Sequence, residues 1–231
     1  MITLPVREVV FATLRARGIS LELGGAAFPF SAGQAVMVGL NGSLLRKPYS
    51  IASAPWEVTK TGLMQLLIQI DDSALDPHLE RATPGTQVDV EGPFGTFGLP
   101  AVESSEPLLF LAGGTGIAPL RSMLMDRLMR DGAVPISVIY SARSAGEFAF
   151  RTELDALEKA GRITMHFTVT RDEGGAWPGR RGRIDHALIE KALPSPEARC
   201  LICGPPQMVS DAREWLAKLG VRPERILTEQ Y

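Results

Sequence analysis

The sequence predicts an all-β barrel or sandwich followed by a doubly wound parallel α/β sheet, and three observations carry that prediction. Up to about residue 100, short alternating β-type segments are separated by turns. From Leu108 onward, strand-type and helix-type segments follow one another in repeated pairs. Between them, Gly92 to Pro107 (GPFGTFGLPAVESSEP) is rich in Gly, Pro and Ser with little periodicity, as a joint between domains at 1–100 and 101–231 would be.

In the first half the expected strands are Arg7 to Ala16, Gln34 to Leu40, Leu45 to Ser53, Leu63 to Asp71 and Thr86 to Glu91, with one short helix near Asp76 to Ala82. In the second half, strands are expected near 108–112, 135–141, 163–170, 198–203 and 225–230, and helices near 118–131, 147–160, 184–193 and 206–219.

Composition excludes several function classes. The 231 residues suffice for two modest cores, and 22% charged with 45% hydrophobic residues is ordinary for a soluble globular protein. A net charge of −2, with no run of Lys and Arg interleaved with aromatics, argues against nucleic acid as a partner. No apolar stretch is long enough to span a bilayer, and Met1 to Arg17 reads as a strand rather than a signal peptide, so cytoplasmic residence is the expectation. Cys200 and Cys203 are the only cysteines and fall on one strand, which suits neither a disulfide scaffold nor an iron–sulfur cluster. The histidines at 78, 166 and 186 lack metal-ligand spacing, and no GxSxG turn is present, so no metal site and no serine triad is expected.

The segment Leu108 to Met123, LLFLAGGTGIAPLRSM, reads as a buried strand, a glycine turn and a helix start. Gly113, Gly114 and Gly116 allow positive φ and close approach of a phosphate, while the first N–H groups of the helix point at it; NAD or NADP is the expected ligand. Pro119 replaces the third glycine of the usual fingerprint and suits a first helical turn, placing the helix start at Ala118 or Pro119. Taken alone, the turn also suits a plain βα connection. Leu44 to Ser53, LLRKPYSIAS, sets two adjacent cations before a proline-fixed strand with an aromatic and two hydroxyls, which would serve a phosphate and a ring system. It also suits a half-buried edge strand with a solvated cationic end.

In order, LLRKPYSIAS, GPFGTF, LAGGTGIAPLRSM, VIYSAR, LICGPPQMV and a terminal EQY resemble the ferredoxin–NADP reductase family over essentially the whole chain. The resemblance implies an antiparallel Greek-key flavin-binding barrel followed by a pyridine-nucleotide domain, with hydride passing from NADPH to bound FAD in the cleft between them and electrons leaving to ferredoxin or another small carrier. On it, Tyr49 lies against the flavin, Ser50 places its hydroxyl near N5, and Ile51 and Ala52 touch the ring through main chain. The family motif has arginine two places before the tyrosine; here that place is Lys47, with Arg46 before it and Pro48 after it, and both cations are expected to share the flavin pyrophosphate. The second phosphate clamp falls on Asp71 to Leu79 (DDSALDPHL), which lacks glycine and where Asp76 before Pro77 reads as an N-cap; this leaves FMN as the alternative to FAD.

The resemblance also puts Cys203 beside the nicotinamide, and makes Glu229 and Tyr231 a proton or electron exchange group and a ring covering the flavin until nicotinamide displaces it. Thr115, Arg143, Gly204, Pro205 and Met208 join the glycines as nucleotide contacts. Thr170 and Arg171 match the Ser-Arg pair of NADP-dependent relatives, with Arg180 or Arg181 as a second 2′-phosphate contact, so NADPH is expected ahead of NADH; Asp172 and Glu173 add opposing charge. Arg7, Arg15, Arg17 and Lys60 are available to an acidic partner. The alternatives to a ferredoxin–NAD(P)H reductase-type flavoenzyme are a reductase of free flavin or quinones and a non-catalytic flavin-binding subunit of a larger redox complex.

Overall fold

The computed structural model describes residues 1–70, 79–100, 105–130, 133–171 and 177–231. They divide into two compact units, Met1–Leu99 with Arg121–Met129, and Pro100–Leu120 with Arg130–Tyr231. The expected second phosphate clamp with Asp76 and Pro77, together with His78, Asp172 and Glu173, lies outside the described residues.

The first unit is antiparallel. Its strands are β1 (Ile2–Thr13), β2 (Ala16–Glu22), β3 (Ala35–Leu40), β4 (Lys47–Ser50), β5 (Leu63–Gln69) and β6 (Gln87–Phe94), and helix α1 (Pro55–Thr61) lies between β4 and β5. They hydrogen-bond in the order β4-β3-β6-β1-β2-β5, and an Ile51–Leu66 bridge joins the two ends of that order. The core follows from period-two patterning, with Leu4 and Val6, Ile19 and Leu21, Val36 and Val38, Met64, Leu66 and Ile68, and Val88 and Val90 all inward.

Three elements depart from expectation. The segment Arg7 to Ala16 is not one strand: β1 starts at Ile2 and ends at Thr13, and β2 turns back from Ala16. The turn lacks Gly, Pro, Asn or Asp and is marked by the Arg15 N–H donating to Thr13 Oγ1, a hydroxyl turn that pattern reading passes over. Helix α1 was not anticipated, although Pro55 sits in its first turn and Gly62 closes it at φ 72°. Of the helix near Asp76 to Ala82, the described part is a 3₁₀ turn at Leu79–Arg81.

The second unit is a parallel sheet with helices. In chain order it holds β7 (Leu108–Gly113), α2 (Ile117–Met129, of which Arg121–Met129 belong to the first unit), β8 (Ile136–Ala142), α3 (Arg151–Lys159), β9 (Thr164–Val169), the two-residue β10 (Arg180–Arg181), α4 (His186–Ala192), β11 (Arg199–Gly204), α5 (Pro206–Lys218) and β12 (Ile226–Gln230). The order is β10-β9-β8-β7-β11-β12, parallel at every described pairing. β7 and β8 are buried along their whole length, which explains why they read as near-continuous apolar runs. The chain leaves β7 towards β8 on one side and later returns as β11 on the other. The glycine turn after β7 therefore stands where the strand order reverses, the place where such sheets bind ligands. Among the described residues no helix is long and apolar enough to cross a membrane.

Candidate functional site

The glycine turn Gly114–Gly116 is a 3₁₀ turn running into α2 at Ile117, two residues before Pro119. The three glycines are needed for different reasons from those expected. Only Gly114 has positive φ (52°). Gly113 is extended, and a Cβ there would stand 2.8 Å from Met208 Sδ and 2.9 Å from Pro205 Cδ. A Cβ at Gly116 would stand 2.3 Å from the Cys203 carbonyl oxygen. Likewise, a Cβ on Gly204 would meet Met208 Cε at 2.4 Å. Close packing of β7 and its turn against the end of β11 thus demands two of the three glycines, and backbone handedness only one. The turn is braced by Tyr140, fully buried on β8, whose hydroxyl donates to the Gly114 carbonyl at 3.1 Å and accepts from the Ala149 N–H at 3.1 Å.

Around this turn the structure collects three of the expected residues. Cys203, buried at the end of β11, pairs in register with Glu229 on β12, and its thiol donates to Glu229 Oε2 at 3.9 Å. Burial first, and then the Glu229 carboxylate, push the Cys203 pKa far up, so the group is a neutral thiol and not a thiolate nucleophile. Tyr231, half-exposed, donates its hydroxyl to the Gly113 carbonyl at 2.6 Å. Burial raises its pKa, opposed by hydrogen bonds from Thr115 and from the Gly116 backbone. The phenol thus takes up donors that the turn would offer to a phosphate.

At the carboxyl ends of β8 and β9, main-chain bonds from the Thr170 N–H to Ala142 O (2.9 Å) and from the Arg171 N–H to Arg143 O (2.7 Å) bring Arg143, Thr170 and Arg171 together. Arg171 and Thr170 are exposed, Arg143 half-exposed, and among the described residues neither arginine has an ion-pair partner. Arg180 is placed otherwise. Its guanidinium pairs with Asp185, which caps α4 through the Leu188 N–H. Arg181 donates to the Trp177 carbonyl.

In the barrel unit, β4 presents Tyr49, which packs partly against the core, and Ser50, paired in register with Ala35. Lys47 and Ser50 are half-buried and Pro48 is exposed. Ile51 and Ala52 are fully buried, and their N–H groups are taken by Gln34 O and Gln65 O. Of the two cations expected to share the flavin pyrophosphate, Arg46 stands beside a carboxylate. Arg46 lies 3.7 Å from Asp89 Oδ2 and 3.1 Å from Met1 Sδ. Asp89, buried, also accepts from Thr3 Oγ1, Asn41 Nδ2 and the Gly42 N–H; bonds from Asn41, Thr3 and Gly42, and then the Arg46 charge, hold its pKa below the usual carboxylate range.

The sequence over residues 2–98 matches the oxidoreductase FAD-binding domain, and residues 110–214 match the oxidoreductase NAD-binding domain. The chain is 35% identical over 230 residues to ferredoxin–NADP reductase B of Sorangium cellulosum, covering 93% of this chain and 91% of that protein. The chain belongs to the ferredoxin–NADP reductase family. It is also 34% identical over 204 residues to the gamma component of sulfhydrogenase 1 of Pyrococcus furiosus, of which it spans 66%. One component of the Na(+)-translocating NADH-quinone reductase of Marinomonas sp. is 31% identical over 202 residues, and the chain spans 48% of it. An Amycolatopsis cytochrome P450 reductase, 24% identical, superposes with a TM-score of 0.86 over 99% of this chain and 68% of that one. The Plasmodium falciparum ferredoxin–NADP⁺ reductase, 17% identical, gives 0.78 over 99% and 95%. These likenesses bear out the antiparallel barrel with a doubly wound parallel sheet, and the chain is a reductase-family oxidoreductase with FAD- and nicotinamide-dinucleotide-type domains.

Within this family fold, sequence reading missed a group on the barrel side. Arg121, buried on α2, donates to the Ala52 carbonyl and makes a forked pair with Glu57 of α1, all at 2.9 Å. The signal was present as an arginine and a serine (Arg121, Ser122) interrupting the apolar face of α2 at Leu120, Met123 and Leu124, a pattern that demands buried partners. The residues fit a flavin by their chemistry: a flat aromatic, a hydroxyl and a cation on one short strand beside a core-packed floor.

Proposed function

We propose that this chain is a flavoprotein oxidoreductase that takes hydride from NADPH onto bound FAD and passes electrons to a separate acceptor, ferredoxin or another small carrier. Residues 1–100 hold the flavin and 101–231 the nucleotide. One observation carries the reading furthest: Cys203, Glu229 and the Tyr231 hydroxyl converge on the glycine turn at the switch point of the parallel sheet. Bound flavin supplies the exchange between a two-electron hydride and electrons released singly or in pairs.

The chain's own residues orient and bind. Tyr49 and Ser50 offer the ring a face and a hydroxyl, with Ile51 and Ala52 behind them, and Lys47 is the cation for the flavin phosphates. The Gly113–Gly116 turn, with Thr115 and the α2 N-terminus, takes the nucleotide pyrophosphate once the Tyr231 phenol gives way. Gly204, Pro205 and Met208 form the neighbouring wall that presses on Gly113. The neutral Cys203 thiol, its hydrogen held by Glu229, lines the nicotinamide site as an uncharged wall, and Glu229 is the proton-exchanging group. Arg171 with Thr170 and Arg143 favours the 2′-phosphate of NADPH, and the pairing of Arg180 with Asp185 leaves that task to Arg171 first. The free buried thiols Cys200 and Cys203 suit a cytoplasmic protein.

A second reading, membership of a multicomponent redox assembly, is favoured by the exposed tip of the β1–β2 hairpin. There Phe11 and Leu14 are 78% and 82% exposed, Arg17 stacks over Phe11 at 4.9 Å and Arg15 is exposed beside Leu14; Arg7, further down β1, and Lys60 on α1 are also exposed.

The test is anaerobic mixing of the purified yellow protein with NADPH and, separately, NADH, then titration of the reduced protein with candidate ferredoxins. Rapid bleaching by NADPH and reoxidation by a ferredoxin are expected. A flavin that neither nucleotide bleaches overturns the reading and favours the non-catalytic role in a larger complex, and colour lost on desalting favours the free-flavin reductase.

A further inference from the structure

We infer that Arg121, with Glu57 and Ser122, is a positioning residue for the flavin strand, holding the main chain just beyond Ser50 in the path the ring requires. The inference rests on the proposed function for the identity of the ring, and its geometry lies wholly within the first unit.

The ladder that fixes β4 stops at Ser50, and Ile51 makes only an isolated bridge to Leu66. Beyond it the chain is held by other bonds. The Ala52 carbonyl accepts from Arg121 Nη1 at 2.9 Å, and the Ser53 carbonyl accepts from Ser122 Oγ at 2.8 Å. On the other side, the Gln65 carbonyl accepts from the Ala52 N–H at 2.8 Å, and the Gln65 N–H donates to Ser53 Oγ at 3.0 Å. Two consecutive residues, Ala52 and Ser53, are therefore gripped from two directions, one residue beyond the serine of the flavin strand.

The grip is itself rigid. Glu57 engages both terminal nitrogens of Arg121 at 2.9 Å, and its Oε2 also accepts from the Ala54 N–H at 2.7 Å, so one carboxylate fixes both the guanidinium and the first turn of α1. Trp56 Nε1 donates to the Met125 carbonyl at 3.2 Å, one helical turn further along α2. Only an arginine can fork to a carboxylate and keep a donor for a carbonyl in one plane, whereas lysine offers a point charge. A buried ion pair adds little net stability over apolar residues of the same shape, so its value here is the fixed geometry of the two carbonyls.

The experiment uses the full-length flavin-loaded protein and the variants Arg121→Met, Arg121→Lys, Glu57→Gln and Ser122→Ala. Three quantities are read: the visible circular dichroism of the bound flavin, the FAD dissociation constant after reconstitution, and the anaerobic stopped-flow split between limiting reduction rate and NADPH dissociation constant. Arg121→Met is expected to change the flavin dichroism and to lower the limiting rate on the order of 10–100-fold, the cost of a misplaced reacting ring, with NADPH affinity within about twofold. Arg121→Lys restores part of the rate, and Ser122→Ala moves it a few-fold in the same direction. If Arg121→Met does not fold, Arg121→Lys and Glu57→Gln decide, because each alters the fork while keeping the side-chain volume. Unchanged dichroism and rate in variants that fold, or a rate that falls only in proportion to flavin lost, overturns the inference. Wild-type protein that NADPH fails to bleach overturns the proposed function instead, and the dichroism and FAD affinity still test the positioning role.

Discussion

Removing the Tyr231 hydroxyl should tighten nucleotide binding. The phenol donates to Gly113 O at 2.6 Å, and a Cβ on Gly114 would lie only 2.9 Å from it, so it rests on the turn that the nucleotide phosphates require. One such hydrogen bond contributes about 1 kcal/mol net, which makes the closed arrangement roughly fivefold more populated than the open one. With about one molecule in six competent, the apparent dissociation constant is raised about sixfold; Tyr231→Phe leaves open and closed arrangements about equally populated and should tighten NADP⁺ binding about threefold. The ring is 54% exposed, so its packing is modest. Deleting Tyr231 altogether leaves nothing to close over the turn and should bring the gain to its limit of about sixfold. The phenol pKa is raised, so the hydroxyl remains a donor at neutral pH and the effect should not depend on pH between 6 and about 8. Isothermal calorimetry with NADP⁺ on the three proteins is the assay. Affinities within twofold of one another would refute the displacement argument and make Tyr231 the mere end of β12.

Four other perturbations have defined outcomes. Gly116→Ala forces a Cβ to within 2.3 Å of the Cys203 carbonyl oxygen, and overpacking between two backbones should cost about 1–3 kcal/mol or more, seen as a lower thermal midpoint; an unchanged midpoint would remove the packing explanation for that glycine. Lys47→Met should weaken FAD binding far more than Arg46→Met, because Arg46 is engaged by Asp89; equal losses in a fluorescence titration would return both cations to the phosphate. Arg171→Ala should weaken NADPH by roughly 10-fold or more while sparing NADH, since a charge-assisted phosphate contact contributes about 1.5–3 kcal/mol; parallel losses would contradict the 2′-phosphate contact. His166 is held below its usual pKa by burial and by Lys191, with Glu158 opposing, so below pH 6.5 the unfolded chain takes up the proton first. Stability should therefore fall as pH drops from 7.5 to 5.5, by less than ~1.4 kcal/mol per unit for a half-buried ring, and His166→Gln should flatten that part of the slope; identical slopes would clear the histidine.

The parallel unit was legible almost element by element because its central strands β7 and β8, buried along their whole length, are near-continuous apolar runs and its helices are bounded by Pro or capping residues such as Asp185 and Pro206. The barrel was legible where inward residues alternate, as in Val36 and Val38 or Val88 and Val90. It failed where a turn was made by a threonine hydroxyl at Thr13 and where a seven-residue helix, α1, drew its first-turn bond from Glu57 rather than from a capping side chain at Ala54. Of the reasons for the turn's glycines, positive φ holds at Gly114 only, and the packing against Met208 and Cys203 was hidden because it depends on residues some ninety positions away.

The same distance effect sorts the candidate cations. Sequence reading ranks Arg46 with Lys47, and Arg180 with Arg171, because each pair is near the same motif. In the fold, Arg46 is claimed by Asp89 across the β3–β6 ladder, and Arg180 by Asp185, the N-cap of the next helix. Both acids are themselves engaged by backbone N–H groups, Gly42 for Asp89 and Leu188 for Asp185, so they are structural carboxylates before they are counter-ions. Under the proposed function, phosphate therefore falls first to Lys47 in the barrel unit and to Arg171 in the parallel unit. On that proposal a lysine can stand where the family motif has arginine: the arginine one place earlier lies beside the Asp89 network with Thr3 and Asn41, and the next position would offer the flavin phosphates a positive charge rather than a fork.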